Sequence, residues 1–487
     1  MCSLKLRKDE TMKSILVGNG IDIQFGGKAY SNTFIMNRIM FNVRTGKYSS
    51  LFNNMVSESN IENIFKGLIG YANTILSGKY DNLPQKEISD AVHDFKKRFT
   101  GKSEFKRYKE IPLEDWFLML QLFFVDNPDL INQINATKQG FEQMVLDAIF
   151  NDGCIQSIYK SVGKKVRKFF NSFDKIFTLN YDNNIEMLCG KEVYHLHGSF
   201  SDWADSVNPH TFQGFCRNTS SLSVVVHGFE HCYCNALLHY SGIMKYRHAE
   251  SNRILNQTIC ELREQKKNGN PEYSKSLANA KALFPNNASS MESFVDYSNP
   301  VLSSNYHFTD FQNLTGELHI IGISPQNDSH IFCCINESNI SKVVYYYYDN
   351  SNPHLPINKP VEYKKVNDLW NSLDAERPRY NCKVENIPNT EPVAKYIELL
   401  NSLSFDPISP KEIEDEMRSI PAFISDPLCR EALALMDSQK ELKSKKDENE
   451  LRKQLLSISQ IALREGIYPT AFLLMIVNYM NSHKNEL

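Results

Sequence analysis

Short apolar runs bounded by turn residues recur along the chain and predict β-strands. Six of them are enriched in apolar and β-branched side chains, and they cover residues 14–18, 175–179, 192–196, 222–226, 318–322 and 342–347. Most alternate with longer amphipathic stretches, which is the pattern of βαβ units. Their consecutive apolar positions are typical of strands covered by helices on both faces. The pattern therefore predicts an α/β fold with a parallel sheet.

Long stretches between and after these runs predict the domain organisation. Helical patterns over residues 61–76, 113–124 and 141–149 separate the first two runs, where a crossover needs only about a dozen residues. We therefore expect one domain over residues 13–349, with a helical lobe inserted at 28–172. The proline- and asparagine-rich segment 350–360 predicts a linker over 350–368. Residues 369–487 form a predicted mainly α-helical C-terminal region, with a charged stretch at 440–453 and an apolar helix at 469–479.

Composition narrows the class of protein. The 487 residues include 54 Lys and Arg against 57 Asp and Glu, and the formal charge is only -3. This balance gives no strong nucleic-acid signal, because a non-specific DNA binder needs a basic surface. The apolar runs are far shorter than the ~20 residues that span a bilayer, so no membrane segment is expected. Eleven scattered cysteines are read as free thiols in a reducing cytoplasm.

The first candidate motif is the sequence Gly18-Asn19-Gly20-Ile21-Asp22 at the end of the first run. Glycines at such a place allow the backbone to approach a pyrophosphate, and a following helix offers free N–H groups. The spacing lacks the third glycine of a dinucleotide-binding loop. A structural turn is an equally good interpretation of this motif alone.

The second motif places Thr178, Asn180 and Asp182 at the end of the second run. An Asn and an Asp two residues apart can point into one crevice, where the amide can hold a ribose hydroxyl. These residue types also favour the N-terminal cap of a helix, and this is the simpler interpretation of the motif taken alone.

The third motif is His195-Leu196-His197-Gly198. A histidine at a strand end can act as a general base, since its ordinary pKa lies near working pH, although a single histidine in an apolar strand is more often part of the core. Histidines at alternate positions can also form a metal pair. We expect no metal, because no third ligand follows at a convincing spacing.

Taken in order, these three motifs resemble the sirtuin superfamily, in which a glycine motif, T-Q-N-I-D and a His-Gly pair follow successive strands. A fourth element over residues 318–325 is similar to the strand end that closes the adenosine-ribose side of that family's NAD site, with Gly322, Ser324 and then Asp328. The resemblance implies a Rossmann-like, sirtuin-like NAD-binding domain.

Two departures indicate which branch the chain is similar to. Deacylating sirtuins carry two close pairs of zinc cysteines, whereas Cys232 and Cys234, flanked by histidines, are the one candidate cluster here. Their spacing does not suit a structural zinc site, and free thiols are the simpler interpretation. Asn19 and Asp22 make the first motif look closer to the sirtuin-like effectors of bacterial anti-phage systems and to abortive-infection AbiH-type proteins.

The resemblance implies an NAD glycohydrolase that cleaves NAD, as its substrate, to ADP-ribose and nicotinamide and depletes NAD in infected cells. Asn180 would hold the ribose and position water, Asp182 the nicotinamide carboxamide, and His197 would be the general base. Gly18 and Gly20 would hold the pyrophosphate, and Ser324 would contact the adenosine ribose. Activation by a protein partner or by homo-oligomerisation is expected. The alternatives are a sensor that binds NAD or ADP-ribose without catalysis, and a zinc-less deacylase or ADP-ribosyltransferase.

Overall fold

The computed structural model describes residues 12–27, 30–44, 46–52, 58–208, 211, 225–296, 304–325, 328–348, 354–375, 427–437, 445–465 and 476. The chain divides into two units. The first comprises Met1–Ile21, Leu68–Phe105 and Ile111–Glu376, and the second comprises Asp22–Gly67, Lys106–Glu110 and Arg377–Leu487.

A parallel sheet organises the first unit. Its strands are β1 (Lys13–Val17), β2 (Lys175–Thr178), β3 (Tyr194–His195), β4 (Thr315–Ile321), β5 (Asn339–Tyr347) and β6 (Val361–Lys365). They lie in the order β3-β2-β1-β4-β5-β6, and every neighbouring pair is parallel. The order reverses between β1 and β4, so successive connections run first to one side of β1 and then to the other. An α/β fold with a parallel sheet is thus confirmed.

Strand boundaries differ from the sequence pattern at both ends of the sheet. β3 contains two residues where residues 192–196 were predicted. Of the predicted strand at 222–226, residues 222–224 lie outside the described residues, and 225–226 are not in a strand. β6 lies within the segment assigned to the linker, at 350–368. It is a half-exposed edge strand, V-E-Y-K-K, and edge strands commonly carry charges that hide the apolar pattern.

The described elements between β1 and β2 are helical, as the sequence predicts. They are α1 (Gly20–Gly26), α2 (Asn32–Arg44), α3 (Glu58–Leu76), α4 (Lys86–Arg98), α5 (Asp115–Asp126), α6 (Ile134–Phe150) and α7 (Lys164–Asn171), with 3-10 turns between several of them. The predicted helices at 61–76, 113–124 and 141–149 correspond to α3, α5 and α6. α5 is buried around most of its circumference, from Trp116 to Phe124. A helix that is apolar all round belongs inside a protein.

Helices also fill the connections after β2. They are α8 (Asn184–Cys189), α9 (Gly242–Lys267), α10 (Tyr273–Leu283), α11 (Met291–Asp296), α12 (Phe308–Gln312), α13 (Ser329–Glu337) and α14 (Val366–Ser372). The longest, α9, begins at Ser241, whose hydroxyl accepts a hydrogen bond from the Met244 N–H. Serine is a favoured residue at this position because it satisfies one of the free N–H groups. Leu255, Ile259 and Leu262 of α9 pack with α10 and α11.

The described C-terminal elements of the second unit are α15 (Pro427–Asp437) and α16 (Lys445–Glu465), which contact each other. Buried apolar residues of the two helices include Leu433 and Leu455. The predicted apolar helix at 469–479 lies outside the described residues except for Ile476. Within the described ranges, no helix combines the length and apolar character needed to cross a bilayer.

Candidate functional site

The sequence motifs follow four neighbouring strands of the sheet, β3, β2, β1 and β4. Because all of these strands are parallel, their carboxyl ends meet at one edge, and the order of the sheet reverses at β1 and β4. Ligands of open parallel sheets bind outside the carboxyl ends at such a reversal. This edge is the candidate functional site.

Three glycines bring the ends of β1 and β4 into backbone contact. The Gly18 N–H donates to the Ile321 carbonyl and the Gly20 N–H to the Gly322 carbonyl, both at 2.9 Å. A Cβ on Gly20 would lie 2.6 Å from the Gly322 Cα, and Gly322 has a φ of +74°. The Ile21 N–H in turn donates to the Gly18 carbonyl at 3.0 Å. The glycines therefore have a structural role, and any phosphate at this turn would need other donors than these three N–H groups.

Thr178 fixes the backbone of Asn180. Its hydroxyl donates to the Val17 carbonyl at 3.3 Å and accepts the Asn180 N–H at 3.0 Å. This local turn ends β2 and attaches it to the end of β1. Asn180, two residues after the end of β2, is buried and only 8% exposed.

Asp182 lies in the turn before the next helix, two residues ahead of its first residue, Asn184. One of its carboxylate oxygens accepts the backbone N–H of Asn184 at 2.9 Å and the side-chain amide of Asn184 at 2.6 Å. The same amide donates to the Ile155 carbonyl at 2.8 Å. Asp182 is thus buried in the turn before α8, but it is not the N-terminal cap that the sequence offered as the simpler interpretation. That position is Asn183, whose side chain makes no capping hydrogen bond.

The two histidines of the third motif have different partners. His195 donates from Nδ1 to the Asn180 carbonyl at 2.9 Å, and its Nε2 contacts Glu186 at 2.5 Å. Burial alone would lower the pKa of His195, but the Glu186 carboxylate outweighs it and raises the pKa. Both ring nitrogens face acceptors, so His195 holds the Asn180 backbone and cannot serve as a base.

His197 instead faces His330, which the sequence analysis did not single out. Their Nε2 atoms are 2.9 Å apart. One ring nitrogen of each histidine and one oxygen of Asp328 lie within 4.8 Å of one another. His197 and His330 are 3% and 2% exposed, and Asp328 is half-buried at the N-terminal cap of α13. Two imidazoles and a carboxylate are a ligand set that a transition metal accepts.

A fully buried lysine lies near this group. The ammonium of Lys245, on α9, pairs with Glu114 and lies 3.5 Å from the Tyr181 hydroxyl. Burial alone would lower the pKa of Lys245, but Glu114 and Tyr181 outweigh it and raise the pKa. The positive charge of Lys245 lowers the pKa of both His197 and His330, and it also opposes binding of a further cation there.

Burial and neighbouring charges set the protonation of His197, His330 and Asp328. Burial, with Lys245 and then His330 adding to it, holds the pKa of His197 well below its usual range. Burial and Lys245 lower the pKa of His330 to about 3. Burial and Glu114 raise the pKa of Asp328 to about 7, and Lys245 opposes them. Both histidines are neutral at pH 7, so one Nε2 carries a proton and the other accepts it.

The remaining predicted residues lie at the same strand ends or next to them. Asn19 and Ser324 are exposed beyond β1 and β4. Asp22 is buried in the first turn of α1 and belongs to the second unit. Gly198, with a φ of +81°, allows the Asn235 carbonyl to approach, since a Cβ would lie 2.2 Å from it.

Cys232 and Cys234 are buried free cysteines. The Cys232 thiol donates to the Gln143 carbonyl at 3.2 Å, and neighbouring His231 contacts Asp147 at 3.1 Å. These contacts tie the Cys-x-Cys segment to α6.

Two histidine variants are expected to change the pH dependence of stability in opposite directions. The pKa of folded His330 is about 3, so below about pH 6.5 only the unfolded chain takes up a proton at this residue. The free energy of unfolding therefore decreases as the pH is lowered below about 6.5. His195 has a raised pKa in the folded protein. Its contribution to the free energy of unfolding is therefore present at low pH and is lost as the pH rises through that folded-state pKa.

Urea unfolding between pH 5 and 8 measures both effects. Below about pH 6.5, His330→Gln should reduce the slope of the free energy of unfolding against pH by about 1.4 kcal/mol per pH unit. His195→Gln should remove a loss of stability that begins above about pH 6.5. Curves parallel to the wild type in both variants would contradict these assignments.

Sequence reasoning missed Glu114, Tyr181, Lys245 and His330. His330 had a signal, because it follows Asp328 in the same D-x-H stretch as the fourth motif. Tyr181 lies inside the second motif, between Asn180 and Asp182. Glu114 and Lys245 had none, since their positions depend on the packing of α5 and α9.

Comparison of the chain with protein-family models, with curated proteins and with solved structures found no match. The functional interpretation therefore depends on the site itself.

Proposed function

We propose that the chain is an NAD glycohydrolase that cleaves NAD to ADP-ribose and nicotinamide at the carboxyl edge of its sheet. The observation that carries the proposal is the pairing of motifs at that edge. Buried Asn180 and neutral, buried His197 follow β2 and β3, beside the reversal of strand order. The order β3-β2-β1-β4-β5-β6 is that of doubly wound, Rossmann-type dinucleotide-binding sheets. The order of the motifs resembles that of sirtuins.

The proposed reaction breaks the bond between the nicotinamide nitrogen and the ribose carbon. Nicotinamide leaves with the bonding electrons, positive charge develops on the ribose as in glycoside hydrolysis, and water adds to the carbon. Asn180 would hold a ribose hydroxyl and the water. His197 would accept the proton that the water or the hydroxyl loses, a role open only to a neutral imidazole. Asp182 would hold the carboxamide.

The proposed NAD-binding set is completed by residues at or next to the strand ends, namely Gly18, Asn19, Gly20, Asp22, Thr178, Gly322, Ser324 and Asp328. Their proposed roles differ. The glycines and Thr178 shape the strand ends, and exposed Asn19 and Ser324 offer polar groups to the ligand. Asp328 has the raised pKa of a carboxyl that can donate a hydrogen bond near neutral pH.

The kcat/KM of the reaction should not fall at pH values below about 6.5, as it would if the base were a histidine with an ordinary pKa. Because the pKa of His197 is held well below that value, its basic form persists as the pH falls. We expect kcat/KM for nicotinamide release to change less than about twofold between pH 7.5 and 6 in Asp328→Asn. In the wild type, a change near pH 7 would belong to Asp328. A limb near 6.5 that persists in Asp328→Asn would contradict the neutral, buried state of His197.

The proposal is tested by incubating the purified full-length chain with NAD and separating the products by chromatography. Equal amounts of nicotinamide and ADP-ribose are expected. Binding of NAD without release would replace the hydrolase by a sensor module. Nicotinamide release that requires an acyl-lysine peptide would indicate a deacylase, and transfer of ADP-ribose to protein would indicate a transferase.

We further propose that the reaction depletes NAD in anti-phage abortive infection and is activated by a protein partner or by oligomerisation. This role derives from the resemblance to bacterial defence effectors. It is tested by measuring NAD in phage-infected bacteria that express the wild-type chain or His197→Ala together with its genomic neighbours. NAD should fall after infection only with the wild-type chain. Equal NAD levels in both strains would contradict the role.

A further inference from the structure

His330 makes a single directed contact with the proposed base. It is the second residue of α13, and its Nε2 lies 2.9 Å from Nε2 of His197. The two rings are nearly parallel, with an interplanar angle of 19° and centroids 5.2 Å apart. His330 is therefore placed to hold the ring of His197 without occupying Nδ1 of that ring.

The ring of His330 is itself closely confined. The chain at Gly242, where α9 begins, passes so near that a Cβ there would lie 2.0 Å from Nδ1 of His330. The ring centroid of Phe308 is 6.1 Å from that of His330. Nδ1 of His330 is buried and has no hydrogen-bond partner among the described residues. Within the part of the chain that the structure describes, the Nε2 contact to His197 is thus the one hydrogen bond that orients this side chain.

Two neutral imidazoles joined by one hydrogen bond can pair in either direction, and the proposed role decides between them: a base that accepts a proton at Nδ1 must carry its own proton on Nε2 and donate it. The proton of His330 then lies on Nδ1, the buried nitrogen next to Gly242. We propose that His330 is a positioning residue: it accepts a hydrogen bond from Nε2–H of His197, fixes the ring of His197, and leaves its Nδ1 lone pair for the substrate. The proposal rests on the proposed NAD hydrolase function, and it adds a residue and a proton assignment to it.

The matched variants are His330→Gln and His330→Asn. A glutamine amide ends near the position of the histidine Nε2 and can still accept from His197, whereas the shorter asparagine amide ends near Nδ1 and cannot reach it. Both variants are polar and uncharged. His93→Gln, at an exposed position of α4, is the control for loss of a histidine.

Steady-state NAD hydrolysis is measured for the four proteins. His330→Gln should keep kcat within about threefold of the wild type, and His330→Asn should lose about 10- to 100-fold in kcat with little change in KM, since a small misplacement of a reacting group is costly. Equal kcat in the two His330 variants would overturn the proposal. So would wild-type turnover that chelation abolishes and zinc restores, because a metal would then replace the hydrogen bond.

Nitrogen NMR of ¹⁵N-histidine-labelled protein separates this inference from the proposed function. Absence of nicotinamide release from the wild type would end the hydrolase proposal, but the spectra would still decide the histidine pair. A single Nε2–H tautomer of His197 in the wild type and in His330→Gln, with a mixture in His330→Asn, supports it. The same mixture in all three proteins, or an Nδ1–H tautomer in the wild type, overturns it.

Discussion

Replacing His197 with alanine is expected to lower kcat for NAD hydrolysis by about 10²–10⁴-fold, the usual contribution of a general base. His197 is buried and neutral, and no other described imidazole at this edge can replace it. His195 is engaged at both ring nitrogens, and Nε2 of His330 is engaged by His197. KM should change little, because proton transfer occurs only in the transition state. The measurement is nicotinamide release at saturating NAD.

The control for this prediction is His93→Ala, which removes an exposed histidine from α4 and should leave kcat unchanged. A thermal unfolding curve identifies any variant that has lost its fold. If folded His197→Ala turned over NAD at the wild-type rate, the base would have to be sought elsewhere.

Replacing Glu114 with glutamine is expected to destabilise the protein by about 3 kcal/mol. The side chain of Lys245 is 2% exposed, whereas that of Glu114 is 37% exposed. Loss of the carboxylate leaves a buried ammonium without its main counter-ion. The opposite variant, Lys245→Met, leaves a carboxylate that water can hydrate, and it should cost only about 1 kcal/mol. Urea unfolding measures both values.

The double variant Glu114→Gln/Lys245→Met is the matched control, because it removes both charges together. It should recover about 2 kcal/mol relative to Glu114→Gln, so that the double variant loses about 1 kcal/mol instead of the additive loss of about 4 kcal/mol. The difference of about 3 kcal/mol is the coupling energy of this buried pair. Additive losses in the double variant would show that Lys245 does not depend on Glu114. In that case Tyr181 and Asp328 would be its effective partners.

The central strands could be predicted from the sequence because helices cover both of their faces. β1, β2, β4 and β5 accordingly appear as uninterrupted apolar runs, and their neighbours in the sheet are parallel, as expected. β6 could not be recognised, since an exposed edge strand with lysines and a glutamate lacks such a run. Helix α9 was missed although its buried Leu255, Ile259 and Leu262 have helical spacing, because polar residues dominate the rest of it.

The candidate site was predictable where its chemistry is local. Thr178 and Asn180 interact within two residues, and so do Asp182 and Asn184, so the spacing of the motif indicates both turns. The separate partners of His195 and His197 could not be predicted, because β3 ends at His195 and the alternation of a strand ends with it. Lys245 and Glu114 are 131 positions apart, and His197 and His330 are 133 apart. Only the packing of whole helices brings such pairs together.

Nicotinamide release by the wild-type chain and by Asn180→Ala tests the central claim most directly, because Asn180 follows β2 at the edge where the NAD site is proposed. We expect steady release from the wild type and a loss of about 10²-fold or more from folded Asn180→Ala, since a misplaced ribose and water forfeit most of the benefit of positioning. Equal release from the two proteins would show that NAD is cleaved somewhere other than the carboxyl edge of this sheet.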